Sequence, residues 1–376
     1  MTLGARDTTS LVMLTGWDAS ELKKFELADG TNYAQIVAET NAALGALNGE
    51  LYGDPMWSSI LSYQDAPEIE YRVGASNGFE RHTEFGRPDA KRAATEGHML
   101  PLLAYDRGLG WTWDYLRQAR AAQLTADVQS AIVDARDNWR KAILGRLLKR
   151  GDESGATYGL GSSGYSPGFA TTAAQTNVDF VPPTFGGNTF TNTHEHYVTI
   201  AGGLYTKAVF TDARDELREH GHEPGATGFD FWVGKSDEAT ITGLTDFIPV
   251  AKSNVQYSST VSLATLGSEL DMNASYYIGT LEDFKIRVVP GIPQYYGIGF
   301  KSYGANSMRN PLRARLQKGQ TRPLVTAMPD PRAGGGAFPL QYLMLFTEFG
   351  IGVYDRTAAT PRYVNHANTW TDGTAT

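Results

Sequence analysis

From residue 124 to residue 150 an apolar side chain returns every three or four positions: Leu124, Val128, Ile132, Ala135, Trp139, Ile143 and Leu147. That spacing places all seven on one stripe of an α-helix. Arg136, Asp137, Arg140 and Lys141 fall on the other faces, where water can reach them. Thr125 is a candidate cap or kink. Lys149 and Arg150 suit the negative end of the helix dipole, and Gly151 is a good stop. A helix over residues 125–150 runs for roughly 39 Å at about 1.5 Å per residue, and further if residues 113–121 continue it. A rod of that length needs apolar partners along its whole course, so it reads as a scaffold element.

The segments around it are mainly extended. Glu68-Ile69-Glu70-Tyr71-Arg72-Val73 alternates polar and apolar side chains, the period of a strand. Glu80, Arg81, Glu84, Arg87, Asp89, Lys91, Arg92 and Glu96 follow with hardly an aliphatic residue between them, and Leu100-Pro101-Leu102-Leu103 marks the return. This is a long hairpin with a tip of mixed charge that cannot bury itself. An isolated two-stranded ribbon is marginal, so the tip is either a solvated loop or a loop that lies across another subunit. Residues 1–55 form a poorly patterned arm. Helical signals at 18–25 (Asp18 as cap, Glu21 closing a capping box) and 33–47 are broken by Asn48-Gly49 and by Gly53-Asp54-Pro55. Residues 151–194 are a Gly, Ser, Thr and Asn-rich loop. Helices are expected at 203–220 and 236–244 (Ser236 as cap), with strands at 229–233 and 285–289 between and after them. Residues 304–337 are basic and irregular. Leu340–Phe346 and Phe349–Tyr354 read as two closing strands. The fold class is α+β.

Composition limits the function. The 376 residues allow two or three compact units. A net charge of −8 argues against a general nucleic-acid binder, because phosphate neutralisation needs clustered Lys and Arg. There is no cysteine, which removes disulfides, thiolate nucleophiles and Cys-ligated zinc. No stretch of about 18 apolar residues is present, and residues 1–17 carry no apolar run behind a basic segment, so neither a membrane partner nor a secretory leader is expected.

Catalytic signatures are few. No Walker A loop, G-x-S-x-G elbow or H-E-x-x-H occurs. Two close histidine pairs stand out: His194 with His196, and His220 with His222, with Glu195 and Glu223 beside them. A His-x-His pair on a strand presents both imidazoles to one side, as some metal enzymes require. The first pair lies in a Thr/Asn-rich loop, however, and the second at a helix end, where His suits the dipole. No catalytic residue, no metal site and no cofactor is assigned from them. The basic cluster Arg309, Arg313, Arg315, Lys318 and Arg322 could meet phosphates, a neighbour's acidic loop, or only water.

The order of elements carries more than any motif. An arm, a charged extended loop, a long amphipathic helix, an inserted α/β unit and a return to apolar strands resemble the Hong Kong ninety-seven-type fold of tailed-phage major capsid proteins, which encapsulins share. Residues 70–97 resemble the family's E-loop. Leu109-Gly110-Trp111-Thr112-Trp113-Asp114-Tyr115-Leu116 resembles the lead-in to its spine helix, residues 122–150 the spine itself, 204–244 the helix–strand–helix of the A-domain, and Tyr354-Asp355-Arg356-Thr357-Ala358 part of the last P-domain strands. The resemblance implies an N-terminal arm at 1–65, an E-loop at 66–110, a P-domain spine helix and following loop at 111–196, an A-domain at 197–303, and a P-domain loop with C-terminal strands at 304–376.

It implies a structural protein, not an enzyme, that assembles with itself into hexamers and pentamers of an icosahedral shell around double-stranded DNA. Such a protein is part of the virion, is assembled in the host cytoplasm and touches the packaged DNA only non-specifically. A portal, a separate scaffolding protein and a decoration protein are the candidate partners. Candidate inter-subunit contacts are Glu84, Arg87, Lys91, Arg92, Arg309 and Arg313. Some relatives crosslink an E-loop Lys to a neighbour's Asn; Lys91 is suitably placed, but the matching region holds Gln341, so no crosslink is expected. An encapsulin-type compartment is the alternative. A metal-dependent enzyme built on the histidine pairs, and a tail or decoration protein, are further rivals.

Overall fold

The computed structural model describes residues 27–31, 33–73, 94–151, 153–154, 165–170, 181–225, 228–250, 275–329, 340–364 and 369–375. The elements begin with α1 (Tyr33–Gly53), α2 (Pro55–Ile60), β1 (Leu61–Gln64), β2 (Glu68–Val73), β3 (Ala94–Met99) and β4 (Leu103–Thr112). Next come α3 (Trp113–Gln118), α4 (Ala121–Leu148), β5 (Glu153–Ser154), β6 (Tyr165–Ser166), β7 (Val198–Ile200), α5 (Lys207–Glu219) and β8 (Phe229–Val233). The chain continues through α6 (Glu238–Thr242), β9 (Ile248–Pro249), β10 (Tyr276–Leu281), β11 (Phe284–Val288) and β12 (Tyr296–Phe300). It closes with β13 (Leu312–Leu316), β14 (Val325–Pro329), β15 (Leu340–Val353) and β16 (Ala359–Val364). No helix among the described residues is long and apolar enough to cross a membrane. The expected helix at 18–25 lies outside the described residues.

The chain forms two compact units. The first collects residues 1–54, 103–139 and 320–349. In it β15 runs antiparallel to β4, from Leu340 opposite Thr112 to Phe349 opposite Leu103, and antiparallel to β14 on its other side. Along β4 exposure alternates, so Tyr105, Arg107, Leu109 and Trp111 share the face turned inward. The first two-thirds of α4 packs there. Trp139 meets Phe349 edge-on with ring centroids 4.5 Å apart, and Tyr105 stacks on Phe349 at 5.0 Å. Trp111 Nε1 donates to Asp127 at 2.9 Å. Arg107 pairs with Asp134, and Arg136 with Glu50 of α1 at 2.6 Å. Six of the seven stripe residues are buried; Ala135 is half-buried.

The ends of α4 differ from the sequence reading. The helix starts at Ala121, and Thr125 lies inside it, because Asp29 caps it from far away in sequence: Asp29 Oδ2 accepts from Ala121 N at 2.8 Å. The bonds from Ala121 and Thr31 hold the Asp29 carboxyl below its usual range. The segment 113–118 is a separate helix, since Ala119 is extended at φ −74, ψ 152. Asn48-Gly49 does not end α1. Asn48 turns its amide to β14 instead, donating to Val325 O at 3.0 Å and accepting from Val325 N at 2.7 Å. That tertiary pairing outweighs the local tendency of Asn-Gly to turn.

The second unit collects residues 55–102, 140–319 and 350–376. Its main sheet has seven strands in the order β7-β16-β12-β8-β11-β10-β9. Central β8 is parallel to β11 and antiparallel to β12. On one face α5 lays down Val209, Phe210, Ala213 and Leu217 against Phe229, Phe231, Val233, Phe284 and Ile286. On the other, Trp232 meets Phe300 at 4.9 Å and Trp57 at 5.9 Å. With both faces covered, β8 is apolar at four of its five positions, Asp230 being the exception.

Sequence reading leaves residues 296–300 as a proline, glycine and aromatic stretch; they form β12. Its glycines are what the packing requires: a Cβ on Gly297 would strike the Phe231 ring and the Tyr205 hydroxyl, and one on Gly299 would crowd Phe231 and Phe284. The hairpin's outgoing strand is β2, and it pairs with β3 from Glu68 opposite Met99 to Val73 opposite Ala94. The return strand is thus Ala94–Met99. It stops before Pro101, which has no N–H to extend a ladder, and Leu103 opens β4. The segment 304–337 is not wholly irregular, since it holds β13, parallel to β1, and β14. The closing strands expected at 340–346 and 349–354 are one strand, β15. Helix α5 starts at Lys207, since Gly202 and Gly203 have φ of 125° and 72°; Gly221, at φ 84°, ends it as expected. The last predicted helix is a 3-10 turn at Lys235–Asp237 followed by α6, and Ser236 is not its cap.

Two outcomes test this packing. Trp139→Ala empties the contact with Phe349 at a site 2% exposed, and denaturant unfolding should show a loss of about 3–5 kcal/mol. Asp237 is 4% exposed and accepts from Tyr295 N at 2.9 Å. Burial pushes its carboxyl up to about 6, against the pull of that bond. The fold therefore holds this proton more tightly than the unfolded chain does. The resulting stabilisation is full below about pH 4 and is lost as pH rises through about 6. Asp237→Asn should raise the Tm at pH 7.5, with the gain vanishing near pH 4.

Candidate functional site

The six contact candidates separate. Glu84, Arg87, Lys91 and Arg92 lie outside the described residues. At the base of the ribbon Ile69 is 2% and Leu100 0% exposed, so the two strands leave from an apolar anchor. Arg315 ties the base to β13 through Leu100 O at 2.5 Å. Arg309 is exposed, with its guanidinium 4.0 Å over the Tyr303 ring. Arg313 is 3% exposed. It stacks 3.9 Å over Tyr354 and donates to Gln64 Oε1 and Met308 O, both at 2.8 Å. Its guanidinium is held inside the chain by these contacts, and Arg309 alone of the two offers its charge outward. Lys318 and Arg322 are exposed as well.

Asn310, beside this cluster, has no signal in the sequence. It is fully buried, donates to Ser58 O, Leu61 O and Gly304 O at 2.9–3.0 Å, and accepts from Tyr303 N at 3.0 Å. All four of these contacts are to backbone groups, with three carbonyls sharing the two amide hydrogens, which fixes the loop carrying Arg309 to the start of β1.

The histidines are regrouped. His222 leaves its neighbour His220 and bonds Tyr303 Oη at 2.7 Å and Thr357 Oγ1 at 2.9 Å. His194, His196 and His220 converge instead. Their Nε2 atoms form a triangle: 2.8 Å from His194 to His220, 2.9 Å from His196 to His220, and 3.1 Å from His194 to His196. Helix α5 ends at Glu219, so His220 is its C-cap residue. His194 and His196 precede β7, and His196 Nδ1 donates to Ala359 O of β16 at 2.8 Å. The Phe190 ring covers His220 at 4.3 Å and His194 at 4.9 Å. Burial pulls all three imidazoles down from their usual range, His196 and His220 well below it. Glu219 Oε1 is 3.3 Å from His194 Nε2 and 3.6 Å from His220 Nε2. Glu216 is engaged elsewhere, with Thr360 Oγ1 and with Arg362 at 2.5 Å. The His194/His196 spacing in the sequence signals two of the three members; that His220, 24 residues after His196, joins them is set by the fold.

No family model matches the chain, and no curated protein matches it in sequence. Solved structures do. A chain from Mycobacterium phage Patience matches with a TM-score of 0.62 at 19% identity, over 94% of this chain and 93% of that one. The mature capsid of bacteriophage PhiM1 gives 0.45 at 13% identity, over 82% of this chain and 86% of that one. A virus-like particle from Pyrococcus furiosus gives 0.40 at 11% identity, over 86% of this chain and 98% of that one. With that match along nearly the whole of both chains, the chain has the mixed α+β fold of Hong Kong ninety-seven-type capsid proteins.

Proposed function

We propose that this chain is the major capsid protein of a tailed phage, a structural subunit that builds an icosahedral shell around double-stranded DNA. The observation that carries the reading is the match to a phage chain along nearly the whole length of both. The ribbon of β2 and β3 supports it. Its base is anchored, and the tip sequence between the strands holds Glu84, Arg87, Lys91 and Arg92 but little that could form a core. A neighbouring copy supplies what such a tip lacks. Arg309, exposed beside the exposed Met308, is a second contact candidate.

A shell subunit acts through contacts between unlike surfaces repeated under closed symmetry. One exposed ion pair contributes only about 0–1 kcal/mol. Small individual contacts let misplaced copies leave during assembly, and their sum over a shell holds the finished particle. Mixed charges also set register between copies. The domain division given by the resemblance, with an E-loop at 66–110 and an A-domain at 197–303, belongs to this proposal. So do location in the virion, hexamers and pentamers of this chain, and a portal, a separate scaffolding protein and a decoration protein as partners. With −8 net charge, contact with packaged DNA is non-specific.

The wild-type chain, with its scaffolding protein where one is required, should sediment as large closed particles. Reversing Arg87, Lys91 and Arg92 to Glu should leave a folded subunit with an unchanged circular dichroism spectrum and reduce particle yield at least tenfold. Normal particles from that variant would remove the ribbon tip from the contact. Denatured particles should show one mass, that of the single chain, because Gln341 stands where the crosslinking relatives have Asn; covalent multimers would contradict this.

A further inference from the structure

Three Nε2 atoms within 2.8–3.1 Å of one another cannot all be hydrogen-bonded. At any moment each nitrogen either carries a proton and donates, or presents its lone pair and accepts. Among three such atoms at least two must be alike. At least one of the three contacts is therefore proton against proton or lone pair against lone pair, whatever the tautomers. His196 sharpens the conflict. Its Nδ1 faces the carbonyl of Ala359 at 2.8 Å and must donate there, so a neutral His196 turns a bare lone pair into the triangle. His220 has a 2% exposed side chain, and its Nδ1 is buried without a hydrogen-bond partner.

A cation accepts all three lone pairs and removes the conflict. We propose that His194, His196 and His220 bind a divalent transition-metal ion, zinc or one of its neighbours, that fastens the segment before β7 to the C-terminal end of α5. Imidazole is the ligand these ions favour. At the usual metal–nitrogen distance of about 2.0–2.1 Å the ion sits roughly 1 Å out of the plane of the three nitrogens, which leaves an open side for a further ligand. Glu219, next in sequence to His220 and beside two of the three nitrogens, is the carboxylate at hand; it completes the shell by turning its side chain. The bond from His196 Nδ1 to Ala359 O orients one ligand from behind, as outer-shell carbonyls do in metal sites. Phe190 closes over two of the rings. An ion held by three buried or half-buried side chains that join two chain segments is a staple, and no reaction is assigned to it. This inference does not rest on the shell reading, since it concerns one unit of a single chain.

The test uses the full chain, stripped with a chelator and then titrated with zinc or cobalt(II) by equilibrium dialysis and absorption spectroscopy. About one ion per chain should bind saturably, cobalt should give ligand-field bands in the visible, and zinc should raise the Tm. His194→Ala and His220→Asn should each weaken binding at least tenfold. His194 is the member with the most exposed side chain, 20%, so its variant is the less disruptive of the two to fold. Glu219→Gln should weaken binding less than either. Binding below about one-tenth of an ion per chain at tens of micromolar metal would overturn the proposal. So would a site occupied equally well in a folded His194→Ala chain. Loss of particles with metal binding intact would count against the shell reading alone.

Discussion

The fold depends on covering one helix. A 28-residue helix with an unbroken apolar stripe is unstable by itself in water, and most of its stability has to come from what packs on it. The chain answers with segments far apart in sequence. Phe349 and Trp111 reach it from two strands, and Glu50 reaches it from α1. The helix's own ends are closed by side chains as well, the start at long range and the last turn locally. Asp29 caps the start. The guanidinium of Arg146, 1% exposed, donates to Lys149 O and Gly151 O, which closes the last turn. An orphaned backbone group at a helix end is costly where water cannot reach it; that applies to the buried Arg146 at the last turn, while the Asp29 bond at the first turn is exposed.

The seven-stranded sheet solves a different problem, that of fitting large rings into a thin layer. Phe231, Phe284 and Phe210 lie within 4.6–6.4 Å of one another. The neighbouring strand makes room by carrying Gly297 and Gly299 where a side chain would collide. The glycine content that reads as turns is thus partly strand. Buried polar groups then fix loops onto this layer. Asn310 holds four backbone groups, and Glu216 joins Arg362 to the end of α5. A shell subunit has to present its contact loops in one geometry, and buried hydrogen-bonded side chains of this kind are a means to that.

How far the sequence speaks follows from what kind of interaction decides each element. Periodicity located α4, β2, β8 and α5 because their apolar patterns are set by burial on one face or on both. It did not locate β12, because glycines selected by a facing phenylalanine look the same as glycines selected by a turn. It did not carry α1 past Asn48-Gly49, because the bonds of Asn48 to Val325 join residues 277 positions apart. The buried state of Arg313 is invisible for the same reason: a basic cluster reads as solvated until Tyr354 and Gln64 are seen beside one of its members. The histidines show both sides. Pairing in sequence pointed to two clusters; the fold splits the second pair and builds a triangle from both.

Under the proposed function, copies of this chain close into a shell through the β2–β3 ribbon. Electron cryo-microscopy of the particles it forms tests that directly. The account predicts icosahedral shells of uniform diameter, resolved into pentamers and hexamers, with the β2–β3 ribbon of each copy lying over its neighbour. Monomers, small oligomers or open tubes under all assembly conditions, or shells in which the ribbon tip projects into solvent, would contradict it.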